Sequence, residues 1–223
     1  MGWRDIDLFE MESSGFSEEL HSVIVPLFEE GARRLADWER ERQETRKKML
    51  SEAKDEAQAD YAHNVADYEG WRNEQRGQVL GAAGLHYLYS TLRSGLKELA
   101  RYFDKTHPRS AEPYKGRSEL DRLKEEFAQR FGIDFEKSTL FAAVRELALA
   151  RNAGIHPESL SEYKEKVRSP RFCKGGQFSV ELKPFMEILN ETDQFFGWVV
   201  KEMLPLRKAQ GKSLGKPNGK SSA

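Results

Sequence analysis

Apolar residues recur every three or four positions over most of this chain, which is the spacing of one face of an α-helix. The first two runs are Leu20, Ile24, Leu27, Gly31, Leu35 and Trp38, and then Met49, Ala53, Ala57, Tyr61, Val65 and Tyr68. Stretches that alternate between apolar and polar residues, as half-buried strands do, are scarce. The spacing therefore predicts an all-α fold of antiparallel helices with at most one minor β-hairpin.

The N-terminal third predicts a long charged helix. Ser17 is followed by two glutamates, and carboxylates in a first turn suit the positive end of a helix. Between Glu39 and Lys48, acidic and basic residues nearly alternate and the apolar seam is missing. Such a stretch is typical of a solvated helix face with i, i+4 ion pairs worth ~0.2 to 0.5 kcal/mol each. We predict a lead over residues 1–16 and a helical arm over residues 17–70, with a joint at Gly70.

The rest of the chain predicts a helical domain over residues 71–204. Four helices are expected, over residues 71–104, 118–131, 138–152 and 182–203. Before the last of them, Gly175 and Gly176 separate two short apolar segments that could pair as a hairpin over residues 171–180. Pro205 is expected to end the last helix, and the Lys-, Gly- and Ser-rich residues 205–223 to form a disordered basic tail.

Composition and hydropathy limit the cellular compartment and the membrane association expected for this chain. The chain has 36 Lys and Arg against 37 Asp and Glu, so its formal net charge is −1. It has no run of about 18 apolar residues that could cross a bilayer, and its acidic N-terminus lacks the apolar core of a signal peptide. Cys173 is the only cysteine, which excludes an internal disulfide. A cytoplasmic protein without a membrane partner is the expectation.

Most catalytic motifs are absent from the sequence. It has no phosphate-binding glycine loop, no His-Glu-x-x-His, no Cys-x-x-Cys and no Gly-x-Ser-x-Gly. Its five histidines are far apart along the chain, so neither a metal site nor a cofactor is expected. The remaining candidate for a catalytic site is the segment from Arg151 to His156. In it, Asn152 follows the arginine at the end of an apolar helix.

This segment resembles the motif of the HEPN superfamily (higher eukaryotes and prokaryotes nucleotide-binding domains). In that family an Arg and a His are separated by four to six residues, often with a polar residue after the Arg, on the penultimate core helix of a small bundle. Arg151, Asn152 and His156 match this pattern, and the apolar helix from Leu182 follows after a loop. The similarity in topology covers roughly residues 75–204 and implies an antiparallel bundle of HEPN type.

The resemblance implies a metal-independent RNA endonuclease that acts as a homodimer. Its partners would be RNA and an antitoxin or defence-system protein, as in toxin–antitoxin and antiviral systems, and its catalytic residues Arg151, Asn152 and His156. Glu158 stands where one toxin subclass carries a Tyr that is nucleotidylated, so that control is not transferred to this chain.

These residue types suit RNA cleavage without a metal. An imidazole such as that of His156 can take or give a proton near neutral pH. The guanidinium of Arg151 offers a planar fork of donors to phosphate oxygens, and Asn152 could orient His156 or hold the ribose. Two motifs across a two-fold axis would supply both a base and an acid.

Basic residues that follow the motif are candidates for binding the RNA backbone. They are Lys164, Lys166, Arg168, Arg171 and Lys174, opposed within this stretch only by Glu165. A basic cluster beside a site that acts on RNA is typical of phosphate contacts. The other interpretation is a solvated loop.

Several alternatives stay open at the level of sequence. Arg101 and His107 form a second Arg–His pair at another helix end. Arg151 could serve only to complement the helix dipole, and His156 only to close a turn. The chain could also be a catalytically silent HEPN-like domain that binds RNA, a nucleotide or a protein, or a helical scaffold whose arm recruits a partner. His86, beside Leu85, is expected to be a packed core histidine.

Overall fold

The computed structural model describes residues 15–116 and 118–214, and in these ranges the chain is mostly helical. A π-helical turn at Leu20–Ile24 leads into α1 (Val25–Glu52), followed by α2 (Glu56–Tyr102), α3 (Glu119–Phe131), α4 (Phe141–Ile155), α5 (Leu160–Lys166), β1 (Cys173–Lys174), β2 (Gln177–Phe178) and α6 (Leu182–Leu214). Within the described ranges, none of the helices has the length and apolarity that crossing a bilayer requires. The predicted all-α class is confirmed.

The predicted charged arm is not one continuous helix, because the chain breaks between α1 and α2. After α1 ends at Glu52, the side chain of Asp55 accepts a hydrogen bond from the backbone N–H of Gln58 at 2.8 Å. The side chain of Gln58 in turn accepts from the backbone N–H of Lys54 at 2.9 Å. These reciprocal bonds satisfy backbone donors at the start of α2 and stabilise a helix end there.

The predicted joint at Gly70 is wrong, because this residue lies inside α2. A Cβ atom at this position would be 3.0 Å from Nη1 of Arg42 on α1, so the glycine makes room for that guanidinium. Arg42 donates to the backbone carbonyl of Ala66 at 3.0 Å. Hydrogen bonds from Arg42 and Gln43 lower the pKa of Glu39 to about 2. The charged stretch of α1 is therefore packed along α2 by polar contacts.

The chain divides into two compact units, each built from segments distant in sequence. The first comprises the described parts of residues 1–18, 90–145 and 190–223, and phenylalanines dominate its core. These are Phe16, Phe103, Phe127, Phe131, Phe135, Phe141, Phe195 and Phe196. The second comprises Glu19–Tyr89 and Glu146–Leu189, where Phe28 stacks on Phe185 with ring centroids 3.8 Å apart. The domain boundaries expected after residues 16, 70 and 204 stay a prediction.

The minor hairpin is confirmed. Strands β1 and β2 are antiparallel, with Cys173 opposite Phe178 and Lys174 opposite Gln177. Gly175 and Gly176 have φ angles of 57° and 83°. A two-residue hairpin loop with positive φ at both positions has the twist that antiparallel strands need, and glycine adopts it without strain.

Helix α6 begins at Leu182 as predicted but does not end at Pro205, which lies inside it. Proline's fixed φ is compatible with a helix, and its cost is one missing N–H bond and crowding against the preceding turn. The helix continues to Leu214. Of the tail expected to be disordered, residues 205–214 are therefore helical, and residues 215–223 lie outside the described residues, as do residues 1–14 of the lead.

Candidate functional site

The Arg–His segment spans the end of α4 in the second unit. The helix turns its buried residues Leu147, Ala150 and Ala153 inward, and this leaves Arg151 half-buried in the last turn. His156 directly follows the helix, and its backbone N–H donates to the carbonyl of Asn152 at 2.8 Å. The helical hydrogen-bonding pattern therefore continues to the histidine and holds its backbone.

The guanidinium of Arg151 is held by two hydrogen bonds. Its Nε donates to Nδ1 of His86 at 3.2 Å, and its Nη1 donates to Oδ1 of Asn152 at 2.9 Å. The ring of Tyr89 lies 5.8 Å from the guanidinium carbon, close enough for a cation–π contact. A guanidinium has five N–H donors, so three of them remain, and these have no partner among the described residues. Arg151 is therefore oriented by the protein and still able to bind an anion.

His156 is accessible. Its side chain is 57% exposed, and Oε1 of Glu158 lies 3.8 Å from its Nδ1. That distance is longer than a hydrogen bond, so Glu158 forms at most an ion pair with the protonated ring. Within the described residues, no hydrogen bond or ion pair joins the side chains of His156 and Arg151. The imidazole can therefore contact a substrate without movement of buried side chains.

His86 is the site residue that the sequence reasoning missed. It was expected in the core because Leu85 precedes it, yet its side chain is exposed. Leu85 and Leu88 occupy the buried stripe of α2, and successive helical residues point about 100° apart. The helical spacing of the apolar residues in α2 therefore predicts that His86 is exposed. Its contact with Arg151 joins residues that are 65 positions apart, so no local sequence pattern predicts it.

Among the predicted RNA-binding residues, Arg171 has a structural role. Its backbone N–H and its Nε donate to the carboxylate of Glu146, at 2.9 Å and 3.1 Å. The hydroxyl of Tyr163 also donates to this buried carboxylate at 3.0 Å. Burial raises the pKa of Tyr163 above its ordinary value, so the hydroxyl keeps its proton. Together these bonds fasten the segment after α5 to α4.

The other four basic residues are exposed. Lys164 donates to the carbonyl of Gly176, which places it beside the hairpin turn. Lys166 pairs with Glu162 and Lys174 with Glu181, each at 2.6 Å. In the part of the chain that the structure describes, Arg168 has no side-chain partner. Exposed ion pairs are weak, so the two paired lysines can exchange their carboxylates for phosphates.

The alternative pair occupies a different environment, in the first unit. Arg101 pairs with Glu98, one turn earlier on the same helix. The ring of His107 packs against the rings of Phe103 and Phe131, with centroids 5.9 Å and 5.8 Å away. His107 is therefore engaged in packing, and among the described residues no hydrogen bond or ion pair joins its side chain to that of Arg101.

An apolar cleft lies between α1 and α2. It has a volume of about 610 Å³, and its lining includes Leu35, Trp38, Val79 and Leu80. Val79 is 69% exposed, so the cleft is open to solvent at this residue. Its α1 residues belong to the arm that the scaffold interpretation would use, whereas Val79 and Leu80 lie beyond that arm.

Comparisons of this chain with protein-family models, with curated proteins and with solved structures found no match. Among the described residues, no group of three or more His, Cys, Asp or Glu side chains is placed to hold a metal ion. The function is therefore inferred from the residues of this chain and their geometry.

Proposed function

We propose that this protein is a metal-independent RNA endonuclease of HEPN type, with Arg151, Asn152 and His156 as its catalytic residues. The observation that supports the proposal is the hydrogen bonding of the Arg151 side chain. Its guanidinium is held by two bonds, to His86 and Asn152, and three N–H donors remain for a ligand. The exposed imidazole of His156 follows on the same segment. A guanidinium that can hold the phosphate and an accessible proton acceptor are two of the parts that RNA cleavage needs.

The reaction is an internal transfer of the phosphoryl group. The ribose 2′-oxygen attacks the adjacent phosphorus while His156 takes its proton, and the bond from phosphorus to the 5′-oxygen breaks. Arg151 donates to the non-bridging oxygens as negative charge accumulates on them. The products are a 2′,3′-cyclic phosphate and a free 5′-hydroxyl.

The leaving 5′-oxygen also needs a proton. An imidazole that has just accepted the 2′-proton is badly placed to donate on the opposite side of the phosphorus. A second copy of His156, brought in by a two-fold axis, would supply that proton, so we propose a homodimer. Its role would be that of a toxin or an antiviral effector that acts on cytoplasmic RNA, controlled by an antitoxin or a defence-system protein.

The test is RNA cleavage in the presence of EDTA. The purified full chain is incubated with structured and unstructured RNAs, and the ends of the products are identified. We expect 2′,3′-cyclic phosphate and 5′-hydroxyl ends at the same rate with and without EDTA. Cleavage that requires an added divalent ion would contradict metal independence, and binding of RNA without cleavage would identify a catalytically silent binding domain.

The exposed basic residues of the segment from α5 to β1 are expected to bind the RNA backbone. The variant with Lys166, Arg168 and Lys174 replaced by alanine should bind unrelated RNA sequences more weakly, because phosphate contacts carry little sequence information. With a salt slope near −0.7 per contact on single strands, its salt dependence should flatten by about two units. Arg171 is left intact because it holds Glu146. RNA affinity measured against salt concentration checks this expectation.

The matched control replaces three other exposed lysines of the second unit, Lys47, Lys48 and Lys54, with alanine. This control keeps the total charge change the same, and its salt slope should stay close to that of the wild type. An equal loss of affinity in both variants would mean that general charge, and not the segment from α5 to β1, attracts RNA.

A further inference from the structure

His86 accepts a hydrogen bond from a cation. Nε of Arg151 donates to its Nδ1 at 3.2 Å. A ring nitrogen can accept only when it carries no proton, so the neutral ring has its hydrogen on Nε2. The contact therefore exists with the neutral imidazole and not with the imidazolium, in which both nitrogens are donors.

This bond determines the plane of the guanidinium. The bond from Nη1 of Arg151 to Asn152 holds one corner of the group, and the bond from Nε to His86 holds a second. Two bonds from different nitrogen atoms remove the rotation that a single bond would leave. The ring of Tyr89 lies 5.8 Å from the guanidinium carbon and limits its movement further.

We propose that His86 is a positioning residue of the candidate site: in its neutral form it orients Arg151 so that the remaining guanidinium donors meet the phosphate. This inference rests on the proposed function. Protonation of His86 replaces an acceptor with a donor facing a cation, which breaks the contact and frees the guanidinium.

Among the described residues, the charged and titratable groups whose contacts place them around His86 lie on two helices and in the N-terminal π-helical region. Arg151 faces it from α4, and Tyr89 lies one turn away on α2. Tyr87, next to His86 on α2, donates to Glu19 at 2.8 Å. That bond raises the pKa of Tyr87, so the phenol stays neutral across the acidic range in which an imidazole titrates.

The decisive variants are His86→Asn and His86→Leu. Asparagine offers a neutral acceptor, Oδ1, at nearly the place of Nδ1, and leucine has similar bulk without an acceptor. His86→Leu should reduce cleavage by about 10-fold to 100-fold, since misplacing a reacting group by about 1 Å has effects of this size. His86→Asn should stay within about threefold of the wild type and have a less steep acidic limb in its pH profile.

A matched control uses a second Arg–His contact of the second unit. Nδ1 of His63 lies 3.0 Å from Nη2 of Arg46, and among the described residues neither side chain forms a hydrogen bond or ion pair with Arg151, Asn152 or His156. His63→Leu should therefore leave cleavage and its pH profile unchanged. A loss of activity equal to that of His86→Leu would overturn the positioning role.

An NMR measurement tests the contact without RNA. Exchange of the guanidinium N–H is catalysed by base, so the rate for the Arg151 Nε–H signal, assigned by its loss in Arg151→Lys, is compared with that of free arginine at the same pH. This protection from exchange should be present in the wild type at neutral pH and lost after acidification, present at both pH values in His86→Asn, and absent at both in His86→Leu. A wild-type protein that cleaves no RNA would refute the proposed function, whereas Nε–H protection that is indifferent to pH and to His86→Leu would refute this inference. Unchanged cleavage by His86→Leu would refute it as well.

Discussion

Replacing either Arg151 or His156 with alanine is expected to lower the rate of RNA cleavage by a factor of ~10² to 10⁴, because general acid–base action and charge stabilisation are each worth about that much. Neither change should unfold the protein. His156 is 57% exposed, and Arg151 is half-buried at the end of α4. Single-turnover cleavage at saturating RNA measures the effect, and circular dichroism checks the fold.

The control for this pair is Arg101→Ala. Like Arg151, Arg101 is an arginine near the end of a helix; its side chain is exposed and pairs with a glutamate one turn away. Its replacement should change cleavage little. His107→Ala is not a suitable control, because its ring packs against Phe103 and Phe131 and its loss would leave a cavity. If Arg101→Ala abolished cleavage and the Arg151 and His156 variants did not, Arg101 and His107 would be the functional pair.

Replacing Arg130 with alanine is expected to lower the free energy of unfolding by about 3 to 5 kcal/mol, the usual cost of breaking a buried ion pair. The side chain of Arg130 is 3% exposed and pairs with Glu126, which is 10% exposed. It also donates to Asp104 and to the carbonyl of His107, both at 2.7 Å. Its loss would leave a buried carboxylate and three further acceptors, including the carbonyl of Ala100, without this donor. Urea denaturation at neutral pH measures the change.

Lys124→Ala is the matched control, on the same helix α3. Lys124 forms an ion pair with Glu136 at 2.9 Å, but both side chains are substantially exposed to water. Exposed pairs are worth about 0 to 1 kcal/mol, so the midpoint of unfolding should move little. If Arg130→Ala were no more destabilising than Lys124→Ala, the buried network would contribute nothing beyond a surface pair.

Local patterns in the sequence were sufficient for much of the fold. Helix α3 begins with the capping box of Ser118 and Asp121 and ends at Gly132, whose φ is 69°. Both signals lie within a few residues of the helix ends that they determine, as do the two glycines of the hairpin. The end of α1 was missed although Asp55 and Gln58 signal it, because the apolar spacing of Ala53 and Ala57 continues across the break.

The sequence alone determined the helical class, the hairpin, and the spacing that places His156 just after the end of α4. It did so because helix period, caps and turns depend on neighbours within about four residues. The tertiary structure alone decided which side chains meet across the chain. It brought His86 to Arg151 over 65 residues and Arg171 to Glu146 over 25. Those contacts depend on how separate helices pack, and no pattern within a single helix encodes them.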